Sequence, residues 1–234
     1  MTTILRNQNT NKIKVIFFSK PKFIRKVCEN KKYFRYLKYE KEGLAWYNSR
    51  IKRKNNVLDY INSKNFSYID LKFSEGQKKK FYNSIIENGN ILLRAINHYV
   101  SAWPQKKIVK CHGELTLDNI IYYKYYIKFI DWELSGLSKE VWGYDLVYLI
   151  ISSVFFSFYI KKKINKKERK IFNQIWSKFF DLDINNKLLL NPISYFLNVY
   201  KKKNWKYAIR DHPNKIYPIS INEEFNQILE SMIS

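Results

Sequence analysis

The chain has 234 residues, 46% of them apolar and 18% aromatic, with only six glycines and five prolines. That composition excludes a disordered chain and is enough for one domain in two lobes or for two small domains. The formal charge of +23 can attract nucleic acid, anionic lipid or phosphorylated substrates, but a lysine-, asparagine- and isoleucine-rich composition also follows from an AT-rich coding sequence, the reading given more weight here.

The first residues, MTTILRNQNTNK, lack the apolar core of a signal peptide. Residues 13–18 and 23–28 are short β-rich runs around the turn-like Ser19-Lys20-Pro21-Lys22, which predicts a hairpin. Residues 35–50 read as a helix with Leu37, Leu44 and Tyr47 on one face. Residues 66–73 alternate like a strand, and Ser74-Glu75-Gly76 breaks it. From Gln77 the period becomes helical through Phe81, Ile85, Leu92, Ile96, Tyr99 and Trp103, and Pro104 ends that helix.

Two short apolar runs, 120–123 and 126–130, pivot near Lys124 as a second hairpin. Helices are expected at about 143–160, 166–180 and 187–203, with a short one near 222–233. Residues 146–160 carry no charge. They fall short of the ~20 residues that span a bilayer, so a buried core helix is expected rather than a membrane-surface one. The lysine-rich run 161–170 reads as a solvated turn and helix start. Cys28 and Cys111 form no CxxC pair, which argues against a disulfide framework and fits a reducing, cytoplasmic compartment. His98 and His212 stand alone and are assigned to packing or surface. Trp103, Trp142 and Trp176 are assigned to core or interface. The outline is α+β, with strands and one helix first, a breaker at 74–76, then a helical half carrying an inserted hairpin.

Chemistry concentrates in residues 111–133, CHGELTLDNIIYYKYYIKFIDWE. His112, Glu114, Asp118 and Asn119 fall within eight residues, and Asp131 ends the second strand of the hairpin. A hairpin brings its two ends together, so Asn119 and Asp131 are expected to offer oxygens at one point, which suits a hard cation such as Mg²⁺. Glu114, on the preceding loop, is then placed to accept a proton from a hydroxyl nucleophile.

HGELTLDN resembles the HGDxxxxN catalytic loop of the aminoglycoside phosphotransferase and choline kinase family, small-molecule kinases with a protein-kinase-like fold. FIDWE resembles the metal-binding strand end of that family. Asp145 in WGYDLVYL resembles the aspartate that opens the next helix there and braces the catalytic loop. The resemblance is most specific over residues 77–160. It implies a two-lobed fold, with a short β-rich nucleotide-binding lobe over 1–75 and a mainly helical lobe over 76–234 that holds the catalytic loop and metal site.

It further implies that Glu114 takes the catalytic-base position, that Asn119 and Asp131 hold Mg²⁺ on the phosphates of ATP, that Glu133 supports the metal shell, and that His112 supports the loop. A strand lysine paired with a helix glutamate is implied for the nucleotide phosphates. Lys26 fits the lysine, with Lys22 and Arg25 as fallbacks. Glu40, with apolar residues four and seven positions on, fits the glutamate, with Glu42 as competitor.

Two departures stand out. The family base is aspartate, and Glu114 moves the carboxylate by roughly 1.5 Å, where a ~1 Å misplacement can cost ~100-fold in rate. No glycine precedes Gly43, so a GxGxxG phosphate loop is absent. The expected activity is ATP-dependent phosphorylation of a hydroxyl on a small molecule, a sugar or surface-polysaccharide precursor ahead of an amino alcohol. A catalytically degenerate nucleotide-binding protein is the first alternative and a basic nucleic-acid-binding protein the second. Peripheral contact with an anionic membrane is compatible with the charge; a transmembrane segment is not expected.

Overall fold

The computed structural model describes residues 13–74, 76–78, 85–123, 126–135, 139–161, 163–203, 215–216, 219–220 and 223–233. The sequence expectations at 1–12, Glu75, Phe81, Lys124 and His212 lie outside them. The protein is mixed α and β, with a β-sheet towards the N-terminus and helices towards the C-terminus. It divides into two compact units. The first is built from the described residues of Met1–Glu75 and Ile130–Ser138, and the second from those of Gly76–Phe129 and Lys139–Ser234.

In the first unit, β1 (Ile13–Ser19) and β2 (Lys22–Cys28) form the expected hairpin. Helix α1 (Phe34–Arg50) follows, then β3 (Val57–Asn62) and β4 (Ser67–Lys72). The antiparallel sheet runs in the order β1-β2-β4-β3. Leu37, Leu44 and Tyr47 of α1 are buried, as are Cys28 and Ile69 of the sheet, so the helical period of α1 covers one sheet face. Strand β3 is an addition to the elements expected from sequence. VLDYIN lies at the sheet edge with a register shift between Val57 and Asp59, and it is half exposed, so it lacks the alternation that marks a half-buried strand.

In the second unit the region expected to be helical from Gln77 begins instead as a short strand. β5 (Gln77–Lys78) pairs with Tyr122 and Ile121 of β7 (Ile120–Tyr123), which pairs in turn with β8 (Tyr126–Phe129). The hydrogen bonds that β7 offers outweigh the helical period at those two positions. Helix α2 then runs Ile85–Ala102. Strand β6 (Ile108–Lys110) pairs with β9 (Lys139–Val141). These three-residue strands are too short to give a periodic signal.

Helix α3 (Tyr144–Lys161) has no polar stripe over its first two turns because they are buried all round: Tyr144, Asp145, Leu146, Val147, Leu149, Ile150 and Ile151 are all at 0% exposure. Each large apolar side chain so buried contributes about 1.5–3 kcal/mol. Helix α4 (Lys166–Phe180) starts at an Asn165–Glu168 capping box. The single helix expected at 187–203 is two, α5 (Asn186–Leu190) and α6 (Pro192–Lys203). Pro192 cannot donate the N–H that a continuous helix needs there. A short hairpin, β10 (Lys215–Ile216) with β11 (Ile219–Ser220), and α7 (Glu223–Ile233) complete the described chain. No helix among the described residues is long and apolar enough to cross a membrane. Trp103, Trp142 and Trp176 are buried, and both cysteines are buried thiols. His98 packs edge-on against Phe129 with ring centroids 5.1 Å apart.

Candidate active site

Strand alternation sends Lys26 and Arg25 to opposite faces of the sheet. Arg25 lies on the face away from α1. Its Nε and Nη2 each donate to Asp70 at 2.7 Å, and its guanidinium lies 4.2 Å from the Tyr68 ring centre. Lys26 lies across from Val15 and Ile69 and points towards α1, where its Nζ donates to Glu40 Oε2 at 2.9 Å and also to Asp131 Oδ1. The two fallback cations are thereby separated from it: Arg25 is committed to Asp70, and Lys22 is exposed. Glu42 points to solvent and pairs loosely with Lys38 at 3.8 Å, whereas Glu40 is buried. The lysine–glutamate pair in this structure is Lys26–Glu40.

Asp131 and Glu133 enter the first unit on the segment 130–135, remote in sequence from the sheet. The anchor is Trp132, fully buried, with its ring 4.9 Å from Tyr47 and 6.0 Å from Trp46. Ser135 Oγ donates to the Tyr39 carbonyl at 3.0 Å. The Trp132 backbone N–H donates to Glu40. Gly43 makes the approach possible, since a Cβ there would stand 2.8 Å from Trp132 Cβ and 2.9 Å from Ser135 Cβ. The side chains of the indolyl residue and Ser135 thus flank the one position of α1 that has none. Nothing local in the sequence connects Gly43 to Trp132, which are 89 positions apart. Gly43 within an apolar helical face is the signal of a close approach.

One ligand oxygen from each of Glu40, Asp131 and Glu133 lies within 4.8 Å of the others. Three carboxylates around one ammonium leave two negative charges. Burial alone would lower the affinity of Lys26 for its proton, but the charges of Asp131, Glu40 and Glu133 outweigh it and hold the ammonium above its ordinary pKa. Burial and the charge of Asp131 push the Glu40 carboxyl up, while Lys26 pulls it down; burial wins. Asp131 itself adopts φ +67. A left-handed backbone at a non-glycine residue costs on the order of 1–3 kcal/mol and is retained where surrounding structure imposes it, often at functional sites.

The second unit carries the loop between β6 and β7. Asp145, in the first turn of α3 and fully buried, accepts from His112 N at 2.8 Å through Oδ2 and from Gly113 N at 3.0 Å through Oδ1. Gly113 has φ +94, a conformation that favours glycine, so the His-Gly pair follows from the way the loop meets Asp145. Burial pushes the Asp145 carboxyl up to about 7, against the two N–H groups that favour its charged form. His112 is buried. Asn119 closes a one-turn 3₁₀ helix, and its Nδ2 donates to the Glu114 carbonyl at 2.8 Å. That bond fixes the amide so that Oδ1 is turned away from Glu114. Glu114 and Asp118 are half-buried. The β7–β8 register closes on Ile120 and Phe129.

Glu40 is taken up by Lys26, while Asp131 and Glu133 add hard carboxylate oxygens beside it, the donor type that suits Mg²⁺. No protein-family model matches the chain, and no curated protein matches it.

Proposed function

We propose that the protein is an ATP-dependent phosphotransferase with a protein-kinase-like fold, acting on a hydroxyl of a small molecule, with a sugar or surface-polysaccharide precursor as the acceptor class. The observation that carries this reading is the convergence of Lys26, Glu40 and Asp131, which are 14 and 105 residues apart from Lys26 along the chain and bonded through one ammonium. A largely buried lysine among carboxylates, with 12% of its side chain exposed, supports a role in holding phosphate oxygens next to a cation.

In this reading Glu40 orients Lys26, and Lys26 binds phosphate oxygens of ATP. Asp131 and Asn119 keep the metal-ligand roles of their motifs, with Glu133 in support. Mg²⁺ would supply neutralisation of charge on the phosphates. Asp145 holds the His112–Gly113 backbone, which sets the position of Glu114. The Glu114 carboxylate takes the proton from the acceptor hydroxyl as its oxygen bonds to the γ-phosphorus and ADP leaves with the electrons of the broken P–O bond. Positioning and charge complementarity supply most of the acceleration in such a transfer.

The test is transfer of labelled γ-phosphate to a panel of sugars and amino alcohols, with Mg-ATP-dependent thermal stabilisation measured alongside. Turnover and stabilisation that both disappear in Asp131→Ala support the proposal. An Asp131→Ala protein that binds and turns over ATP as before removes the metal role. The longer carboxylate at Glu114 favours a second reading, a kinase-like protein that binds nucleotide without reaction; stabilisation by Mg-ATP with no transfer across the panel selects it.

A further inference from the structure

The first unit presents a surface that the proposed chemistry does not use: one end of the four-stranded sheet. The β1–β2 turn places Lys20 and Lys22 there, with Ser19 opposite Lys22 and Phe18 opposite Phe23. Phe23 in turn lies opposite Lys72 at the end of β4, and Lys72 N donates to the Asn56 carbonyl at 2.8 Å. The chain entering β3, with Lys54, the start of β3, with Leu58, and the chain leaving β4, with Phe73, therefore lie at the same end as the β1–β2 turn.

Lys20, Lys22, Lys54 and Lys72 are all exposed, and among the described residues no carboxylate pairs with them. Of the acidic side chains on the neighbouring strands, Asp70 is neutralised by Arg25, and Asp59, which accepts from the Tyr68 hydroxyl at 2.7 Å, leaves one negative charge against the four lysines. Large apolar side chains stand among the lysines. Leu58 is 57% exposed and Phe73 39%. Phe18 and Phe23 stack 4.1 Å apart and are only half-buried.

Lysines alone describe a solvated surface, and exposed apolar residues alone describe an unassigned contact. Together, at the tip of a hairpin layer, they match an interface that is negatively charged at its surface and apolar just beneath. We propose that this end of the sheet docks on a bilayer bearing anionic phospholipid headgroups. The lysine ammonium groups meet the headgroup phosphates, and Leu58 and Phe73 enter the boundary with the acyl chains. The attraction to the surface falls off within about a Debye length, so binding weakens as salt is added.

Sedimentation of the full chain with extruded vesicles tests this. Binding to phosphatidylcholine vesicles containing phosphatidylglycerol, and little to phosphatidylcholine alone, is expected. The Lys20→Glu/Lys22→Glu/Lys72→Glu protein should bind about a hundredfold more weakly. Leu58→Ser/Phe73→Ser should also weaken binding, with the salt dependence retained. A control reversal of equal charge, Lys163→Glu/Lys166→Glu/Lys167→Glu, should leave most of the binding in place. Equal loss in the control overturns the proposal, because net charge alone is then responsible. Full binding by the first triple variant overturns it as well. A third overturning outcome is single-stranded RNA that binds through Lys20, Lys22 and Lys72 while anionic vesicles do not. Circular dichroism and the melting temperature of each variant establish that a loss is not unfolding.

Discussion

Lys26 in the first unit is a largely buried charge and Asp145 in the second a fully buried one, and the protein meets the two charges in opposite ways. Lys26 is surrounded by side-chain carboxylates from a helix and from a segment far along the chain. Asp145 is held by two backbone N–H groups of one loop, with burial working against its charge. Side-chain partners can exchange: an incoming anion or cation can replace one carboxylate or the ammonium with little change in the backbone. Backbone partners cannot exchange without moving the loop. The first arrangement leaves room for exchange with an incoming ion, and the second keeps a loop in place.

The contrast implies that one carboxylate can change activity with little effect on stability. Glu114 is half-buried and its backbone is held by Asn119. Glu114→Gln should lower phosphoryl transfer by about 100- to 10,000-fold, the range for loss of a general base, while urea unfolding shifts by less than about 0.5 kcal/mol. Equal loss of stability and activity would make Glu114 part of the loop architecture instead.

Lys26 should behave differently. Lys26→Met leaves Glu40 buried beside Asp131 without its counter-charge, which should cost about 3–5 kcal/mol near neutral pH. Burial already pushes the Glu40 carboxyl up, and removing the ammonium pushes it further. A carboxyl whose folded pKa is raised contributes stability that is complete below its unfolded pKa and is lost as pH rises through the folded one. The variant should therefore lie closest to the natural protein near pH 4 and fall away as pH rises. Urea titrations at several pH values check this, and Lys26→Met/Glu40→Leu should recover most of the loss.

Asp145 gives the corresponding test in the second unit. Burial holds its carboxyl at about 7, above the ordinary aspartate value of 3.8, so its contribution is complete below about pH 4 and is lost as pH rises towards and through 7. Asp145→Asn has no such titration. Its amide can accept from one of the two loop N–H groups but not from both, a defect worth about 1–3 kcal/mol. The stability difference between the natural protein and Asp145→Asn should be largest near pH 4 and narrow by pH 8. A difference that widens with pH would mean that the two N–H groups, and not burial, dominate the carboxyl.

Much of this was legible in the residues. The periodicity of α1 puts Leu37, Leu44 and Tyr47 on one face, and an acidic residue four before Leu44 and seven before Tyr47 shares that face, which is why Glu40 and not Glu42 meets Lys26. Strand alternation likewise separates Lys26 from Arg25. The limits have physical causes. Strand β3 is an irregular edge, β5 is set by its partner strand rather than by its own period, and the break at Pro192 was available as a proline signal inside an expected helix. A second lobe running unbroken from 76 to 234 leaves out that the described residues 130–135 belong with the first unit, because the burial of Trp132 among residues of α1 is a contact across more than eighty positions that no local pattern encodes.

Gly43 tests that contact with the smallest change. In an exposed helix, glycine to alanine is stabilising by about 1 kcal/mol, since alanine loses less backbone entropy on folding. At position 43 the new methyl would lie 2.8 Å from Trp132 Cβ and 2.9 Å from Ser135 Cβ. Neither is the far end of a flexible side chain, so the segment 130–135 must shift or α1 must bend. Overpacking of this kind costs about 1–3 kcal/mol. The two terms nearly oppose each other, and Gly43→Ala should emerge destabilised by about 1 kcal/mol. A movement that relieves the methyl also carries Asp131 and Glu133 away from Lys26 and Glu40, so Mg-ATP stabilisation should fall by more than the loss in the unliganded protein. A Gly43→Ala protein that is more stable and responds to Mg-ATP unchanged would show that the segment carrying Asp131 does not depend on its close approach to α1.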